Sequence, residues 1–387
     1  MSKKLTIIYA KSTAEVFNRQ SALGSYIHCL ATILVKNGYA VSINEISFYV
    51  GLELKSSTAA NRTSSFSFLK NLIPRCIKET VKDLQLFKSL DVLYFNIDKG
   101  KEIDCILEFY TYGSNIGYNL SKKYNKPLFL IYDNPVLEEH AFFHGKQLFF
   151  KNKVKKREKD SILSASVIIA YSNAVKDYLN KKYSKQLPVF IHQNVDYTRF
   201  DFIHEKPVEE IVNIGFIGSF LKWHRVDLLI NAFVRLKKEG KNCKLYLIGN
   251  GLEYETIKNQ VDSCAYSSDI YMPGFMDGEL LLSYKQKITI GVMPGSNWYG
   301  APNKIFEYGA AKIAVVAPDT PTIIDLFENN EEVLLFKQDD ENSLFEKLSI
   351  YADNADLRHR HAIALQNKIR NNYSENITFT FYNNLIS

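Results

Sequence analysis

At 387 residues the chain is long for one domain and fits two or three. Hydrophobic residues at 46 %, charged residues at 23 % and only 18 Gly and 10 Pro exclude collagen-like and low-complexity chains, and apolar runs such as 165–170 fall far short of the ~20 residues of a membrane-spanning helix. The net charge of +6 divides unevenly, with 28 Lys and Arg against 16 Asp and Glu in residues 1–190 and an acidic remainder, so the two halves are expected to meet different partners.

In the first half, short apolar runs at 5–9, 40–46, 91–95, 105–108, 127–132 and 167–170 read as strands, with helical spacing at 22–36, 113–124 and 173–182. Residues 56–67, rich in Ser, Thr and Asn, read as a loop. Residues 149–164 read as a helix with a heavily basic face, since Lys146, Lys151, Lys153, Lys155, Lys156, Arg157 and Lys159 crowd into fourteen positions. Such a face attracts anionic lipid, so peripheral membrane contact through 146–159 is expected. Residues 192–207 are polar and irregular, as a hinge would be.

The second half alternates more regularly. Strands are expected at 211–218, 244–248, 269–272, 288–293 and 313–317, with a helix at 226–237 and further helical segments between them. This alternation predicts a doubly wound parallel sheet in each half. Ligands of such sheets bind beyond the carboxyl ends of the strands, so a cleft between two such domains is the expected active site. Cys29, Cys76, Cys105, Cys243 and Cys264 have no paired spacing, which argues for a reducing, cytoplasmic setting and against a zinc site. The apolar stretch behind Lys3 and Lys4 is too short for a secretory leader.

No Gly-x-Gly-x-x-Gly follows a strand, and no P-loop, His-Glu-x-x-His or Gly-x-Ser-x-Gly occurs. Two segments carry the chemistry instead. Gly218-Ser219-Phe220-Leu221-Lys222-Trp223-His224-Arg225 leads from a strand by a basic loop into a helix, where backbone N–H groups and cations can hold an oxyanion. In Tyr299-Gly300-Ala301-Pro302-Asn303-Lys304-Ile305-Phe306-Glu307, Pro302 opens a helix at its first turn. The N–H groups of Asn303, Lys304 and Ile305 are expected to be free there, with Lys304 adding charge and Glu307 able to accept from ribose hydroxyls.

Together these segments resemble glycosyltransferase family 4, the retaining nucleotide-sugar enzymes of the GT-B fold. The likeness extends to Asn194-Val195-Asp196 with Phe200, to 161–172, to Gly249-Asn250-Gly251, and to Glu108-Phe109-Tyr110 and Asp133-Asn134-Pro135 with Glu138-Glu139. Departures are visible too. Tyr299 stands where many members have the first of two Glu residues, Ser219 and His224 align with the usual Arg and Lys of the diphosphate site, and Arg225 replaces a Gly.

The resemblance implies two Rossmann-like α/β domains facing each other across a cleft. Residues 1–200 would bind the acceptor and 201–370 the donor, with 371–387 a helix packing back on the first domain. It implies retaining, hexosyltransferase-type transfer from a nucleotide-diphosphate sugar, a UDP-sugar in this reading, to a saccharide, lipid-linked or small-molecule acceptor, without a metal, in surface polysaccharide or glycoconjugate synthesis. Asp133, His224 and Lys304 would be catalytic. Gly24, Gly218, Ser219, Arg225, Gly249, Gly251, Phe275, Asn303, Ile305 and Glu307 would bind the donor, and Glu108, Tyr110 and Glu138 would lie on the acceptor side. A catalytically silent nucleotide-sugar-binding subunit and a GT-B epimerase remain alternatives.

Overall fold

The computed structural model describes residues 3–11, 16–17, 22–52, 75–99, 102–144, 149–193, 195, 202–203 and 211–386. The loop read at 56–67, Lys146, and the motif residues Asn194, Asp196 and Phe200 lie outside them. The chain forms two compact units, Met1–Asp196 with Thr378–Ser387, and Tyr197–Ile377.

The first unit is built on a seven-stranded sheet of β1 (Lys4–Tyr9), β2 (Ala40–Ile43), β3 (Ile46–Ser47), β4 (Cys105–Phe109), β5 (Leu128–Ile131), β6 (Val167–Ala170) and β7 (Val189–Ile191). Their order is β3-β2-β1-β4-β5-β6-β7. The run read as one strand at 40–46 breaks at Asn44, whose left-handed φ of +49° turns the chain into a short antiparallel hairpin. The other pairings are parallel.

Its helices are α1 (Ala22–Lys36), α2 (Arg75–Asp98), α3 (Ile116–Tyr124), α4 (Val136–His144), α5 (Lys151–Ser164) and α6 (Asn173–Tyr183). The strand expected at 91–95 is instead part of α2. The aromatic and β-branched run Val92–Phe95 looks strand-like alone, but it sits inside the longer helical spacing of the buried Asp83, Phe87, Leu90, Leu93 and Ile97. A 3.6-residue period over 24 positions overrides a four-residue propensity.

The second unit carries β8 (Val212–Ile217), β9 (Cys243–Ile248), β10 (Ile270–Gly274), β11 (Ile290–Val292), β12 (Ala314–Pro318) and β13 (Val333–Phe336). All pair in parallel, in the order β10-β9-β8-β11-β12-β13. This doubly wound order reverses direction between β8 and β11, and a ligand crevice opens at such a switch point. The helices are α7 (Val226–Lys238), α8 (Tyr254–Asp262), α9 (Gly278–Lys287), α10 (Asn303–Ala310), α11 (Pro321–Leu326), α12 (Glu341–Asp353) and α13 (Ala355–Asn372). One face of the sheet packs with α7, α8 and α12 in a continuous apolar core around Phe216, Phe233 and Leu245.

The last helix, α14 (Glu375–Ile386), is largely part of the first unit. Tyr382 is fully buried there, and Phe381 stacks on His192 with ring centroids 4.1 Å apart. Lys3 Nζ donates to Ile386 O at 3.0 Å and Tyr39 Oη to Asn383 Oδ1 at 2.8 Å.

Candidate functional site

The switch point of the second sheet gathers most of the residues the sequence singles out. Gly218, just past β8, has a φ of +156°, and Gly249, just past the neighbouring β9, a φ of +140°. The two glycines touch: a Cβ on Gly249 would stand 1.9 Å from the carbonyl oxygen of Gly218. Gly251 also lies against backbone, where a Cβ would stand 2.4 Å from Phe220 O. Gly218 N–H donates to Ile248 O and Phe220 N–H to Asn250 O, both at 2.9 Å, so the loops that leave β8 and β9 are laced together.

Lys304 extends across this turn. Its Cε lies 2.3 Å from where a Cβ of Gly218 would be, so glycine there makes room for the lysine stem. Its Nζ is 3.1 Å from His224 Nε2 and lies over the Phe216 ring at 5.5 Å. The other imidazole nitrogen, Nδ1, is 2.5 Å from Ser219 O, a contact that requires Nδ1 to carry the proton and leaves Nε2 to accept from the ammonium. Burial, aided by the Lys304 charge, holds the His224 pKa down at about 3. His224 is therefore neutral at working pH, and its place among the cations expected here is corrected: it positions the lysine. Burial also lowers the Lys304 pKa to about 8, with the Glu307 carboxylate partly opposing that shift. Lys304 still carries its charge at neutral pH.

The helix start at α10 differs from expectation. Pro302 caps the helix and is not within its first turn. The N–H groups of Asn303 and Ile305 are taken up by Ala301 O at 3.0 Å and Pro302 O at 2.9 Å, and the Ile305 side chain is fully buried. These two residues fix the turn that presents Lys304, so positive charge at this end comes from the side chain. Glu307 follows one turn later, half-buried, with Oε2 3.3 Å from Lys285 Nζ. Lys285, on α9, is 2 % exposed and was missed in the sequence. Its signal was spacing: Leu281 and Lys285 lie four apart on one face of α9, and lysine fills the buried position of the pair.

Arg225 also departs from expectation. It adopts a left-handed φ of +47°, the conformation for which glycine is favoured, so this chain carries backbone strain at the α7 entrance. Its guanidinium is held by Asp227, with Nη2 to Oδ2 at 3.1 Å, and by Asp339. Those carboxylates raise its pKa, the Asp227 hydrogen bond most. With both partners in place, Arg225 pins the loop and its charge is largely neutralised. Ser219 and Phe275 are exposed, Phe275 at 62 % just beyond β10. Tyr299, in the place of an expected Glu, meets Trp298 edge-on.

In the first unit, Glu108 is fully buried in β4. Its Oε1 accepts from Ser114 Oγ at 2.5 Å and Oε2 from Gly117 N–H at 3.2 Å. Burial pushes its pKa up to about 7. Tyr110 is 3 % exposed and stacks on Tyr132. Both stand inside the unit, anchoring α3 and the end of β4, so neither presents a surface to an acceptor as expected. Glu138 does reach the surface, accepting from Tyr178 Oη at 2.5 Å. Asp133, half-buried just past β5, has its pKa raised to about 7 by burial and then by the Glu139 carboxylate, against the pull of the Asp133 and Asn134 N–H groups. A carboxyl titrating near neutrality beyond a strand end is suited to acid–base work. Gly24 is buried near the start of α1. Among the described residues no helix is long and apolar enough to cross a membrane.

Comparison with known proteins agrees with this fold. An uncharacterized glycosyltransferase of Methanocaldococcus jannaschii is 22 % identical over 297 residues, covering 73 % of this chain and 74 % of its own. Sucrose-phosphate synthase of Thermosynechococcus elongatus shares the fold with a TM-score of 0.72 at 15 % identity, over 99 % of this chain and 98 % of its own. Anabaena HepE, solved with UDP, does so at 0.67 and 14 %, over 100 % and 99 %. The fold of this chain is that of the GT-B glycosyltransferases, and residues 196–368, nearly all of the second unit, match the family described as Glycosyl transferases group 1.

Proposed function

We propose that the protein is a retaining glycosyltransferase that takes a sugar from a UDP-sugar and passes it to a saccharide or lipid-linked saccharide acceptor. The observation that carries this reading is Lys304, a cation held over the Gly218 turn by a neutral histidine at the switch point of a doubly wound sheet. As a glycosidic bond to a nucleoside diphosphate breaks, negative charge collects on the leaving diphosphate. A preorganised cation in a partly desolvated site meets that charge without reorganisation. Glu307, kept in place by Lys285, would accept from the ribose hydroxyls, and the exposed Phe275 ring would meet the base. Structures of Anabaena HepE hold UDP, UDP with glucose, and UDP-glucose, which supports the choice of nucleotide. Asp133 is assigned to the reacting sugar, Glu138 to the acceptor side.

Melting curves with UDP, GDP, ADP and their sugars test the donor. UDP at about a hundredfold excess over its Kd should stabilise the second unit by about 2.7 kcal/mol, roughly 5–10 °C for a unit of this size. Glu307→Ala should abolish most of that shift. No response to any nucleotide would overturn the donor assignment, and a shift without transfer or hydrolysis of any UDP-sugar would favour the silent-subunit reading. Since Lys304 supplies the positive charge, we also propose that no metal is needed. Transfer should persist in EDTA, and loss of activity restored by Mn²⁺ would count against this.

A further inference from the structure

The turn from β5 into α4 is short, so Asp133 and Asn134 sit where the chain leaves the sheet. Glu139, in the first turn of α4, folds back on them. Its N–H donates to Pro135 O at 2.9 Å, and its Oε2 accepts from Asn134 Nδ2 at 2.6 Å. That second contact decides how the Asn134 carboxamide lies. A carboxylate only accepts, so the amide nitrogen must face Glu139 and Oδ1 must face away from it. Oδ1 so placed is buried and has no hydrogen-bond partner among the described residues. A carboxamide free to turn would seek a donor for that oxygen, and the Glu139 contact holds it in place instead.

The charged groups nearby are otherwise occupied. Glu138, beside Glu139 on α4, turns to α6, where Tyr178 Oη donates to it and Lys182 Nζ lies 3.7 Å away. His140 stacks flat on Tyr112, with ring centroids 3.8 Å apart. On α5, the buried Glu158 accepts from Tyr132 Oη at 2.8 Å and Tyr183 Oη at 2.9 Å, and pairs with Lys182 at 2.9 Å. Burial is the larger cause of the raised Asp133 pKa, and Glu139 is the one charged group among the described residues that adds to it. Two carboxyls at one turn resist carrying two negative charges, so Asp133 keeps its proton to about 7. A carboxyl that carries a proton donates, and a carboxamide oxygen accepts. On consecutive residues they match the vicinal hydroxyls of a sugar ring.

We infer that Glu139 is a positioning residue for the reacting sugar: it holds the Asn134 carboxamide with its oxygen presented to a sugar hydroxyl, and its charge bears on the neighbouring Asp133. This rests on the reading of Asp133 as the residue beside that sugar.

Two substitutions separate the hydrogen bond from the charge. Glu139→Gln can still accept from Asn134 through Oε1 but is neutral, whereas Glu139→Ala has neither property. With UDP-glucose as the probe, Glu139→Ala should raise KM about tenfold while the inhibition constant of UDP stays unchanged, because only the sugar contact is lost. Glu139→Gln should restore KM to near the wild-type value. A carboxyl ¹³C NMR titration should find Asp133 near 7 in the wild type and lower in both variants. Wild-type KM in Glu139→Ala, or an equal rise in both variants, would overturn the positioning of Asn134. An Asp133 titration that does not move in Glu139→Gln would overturn the effect of the charge. The titration needs neither donor nor acceptor, so it decides this point even if Asp133→Asn leaves transfer intact, a result that would instead remove Asp133 from the sugar site.

Discussion

Lys304→Met is expected to lower the turnover of sugar transfer by about 10²–10³-fold, the usual cost of removing one preorganised charge-stabilising group. Methionine keeps much of the stem that packs on Gly218 and Phe216, so fold and nucleotide affinity should change little. The effect should appear in kcat, because the missing charge matters most where the leaving diphosphate is most negative. A loss below about threefold would remove Lys304 from the chemistry.

The same residue predicts a pH signature. Its pKa is lowered to about 8 because burial disfavours the cation. In the free enzyme the charge is present below that pH and lost above it, so kcat/KM should fall on an alkaline limb near pH 8. A bound diphosphate stabilises the cation and should move the corresponding limb of kcat upward. Stability should run the other way. The unfolded chain holds this proton up to the ordinary lysine pKa, so between about 8 and 10.5 it binds more protons than the native state. The Lys304 contribution to stability therefore rises with pH across that window. In Lys304→Met both the kcat/KM limb and this rise should be missing. His224, neutral across the whole range, should add no limb of its own.

The sequence made the second unit legible because its strands are short, apolar and separated by amphipathic helices of ordinary length. It also revealed Gly218, Gly249, Gly251 and Lys304, since turns and helix starts are local. Pairings over long separations were not legible. Arg225 reads as a free cation in a basic loop, yet its partner Asp339 lies 114 positions away. Glu307 reads as an open carboxylate, yet Lys285 comes to it from another helix. Glu108 looks like a motif residue, but its position in the fourth strand of a covered sheet puts it out of reach of solvent. In each case spacing shows which residue types are present, while packing decides which charges remain available.

The largest stability effect is expected at Gly249. Gly249→Ala would place a Cβ 1.9 Å from Gly218 O and 2.9 Å from Gly218 C, at a φ of +140° that alanine rarely adopts. The obstacle is backbone, so no rotamer change relieves it, and β8 and β9 would have to part at the ends that carry the site. Strain and lost packing together should cost about 3–5 kcal/mol. For a unit spanning Tyr197–Ile377 that corresponds to a fall in melting temperature on the order of 10 °C. Gly240→Ala is the control. Its φ of +78° is also left-handed, but no atom lies within 4 Å of the new Cβ. It should therefore cost only about 1 kcal/mol of backbone strain. Equal losses at the two positions would mean that φ alone matters and that the β8–β9 contact does not hold the site. A much larger loss at Gly249, accompanied by weaker UDP binding in whatever fraction folds, would show that one backbone contact holds both the strand ends and the turn on which Lys304 rests.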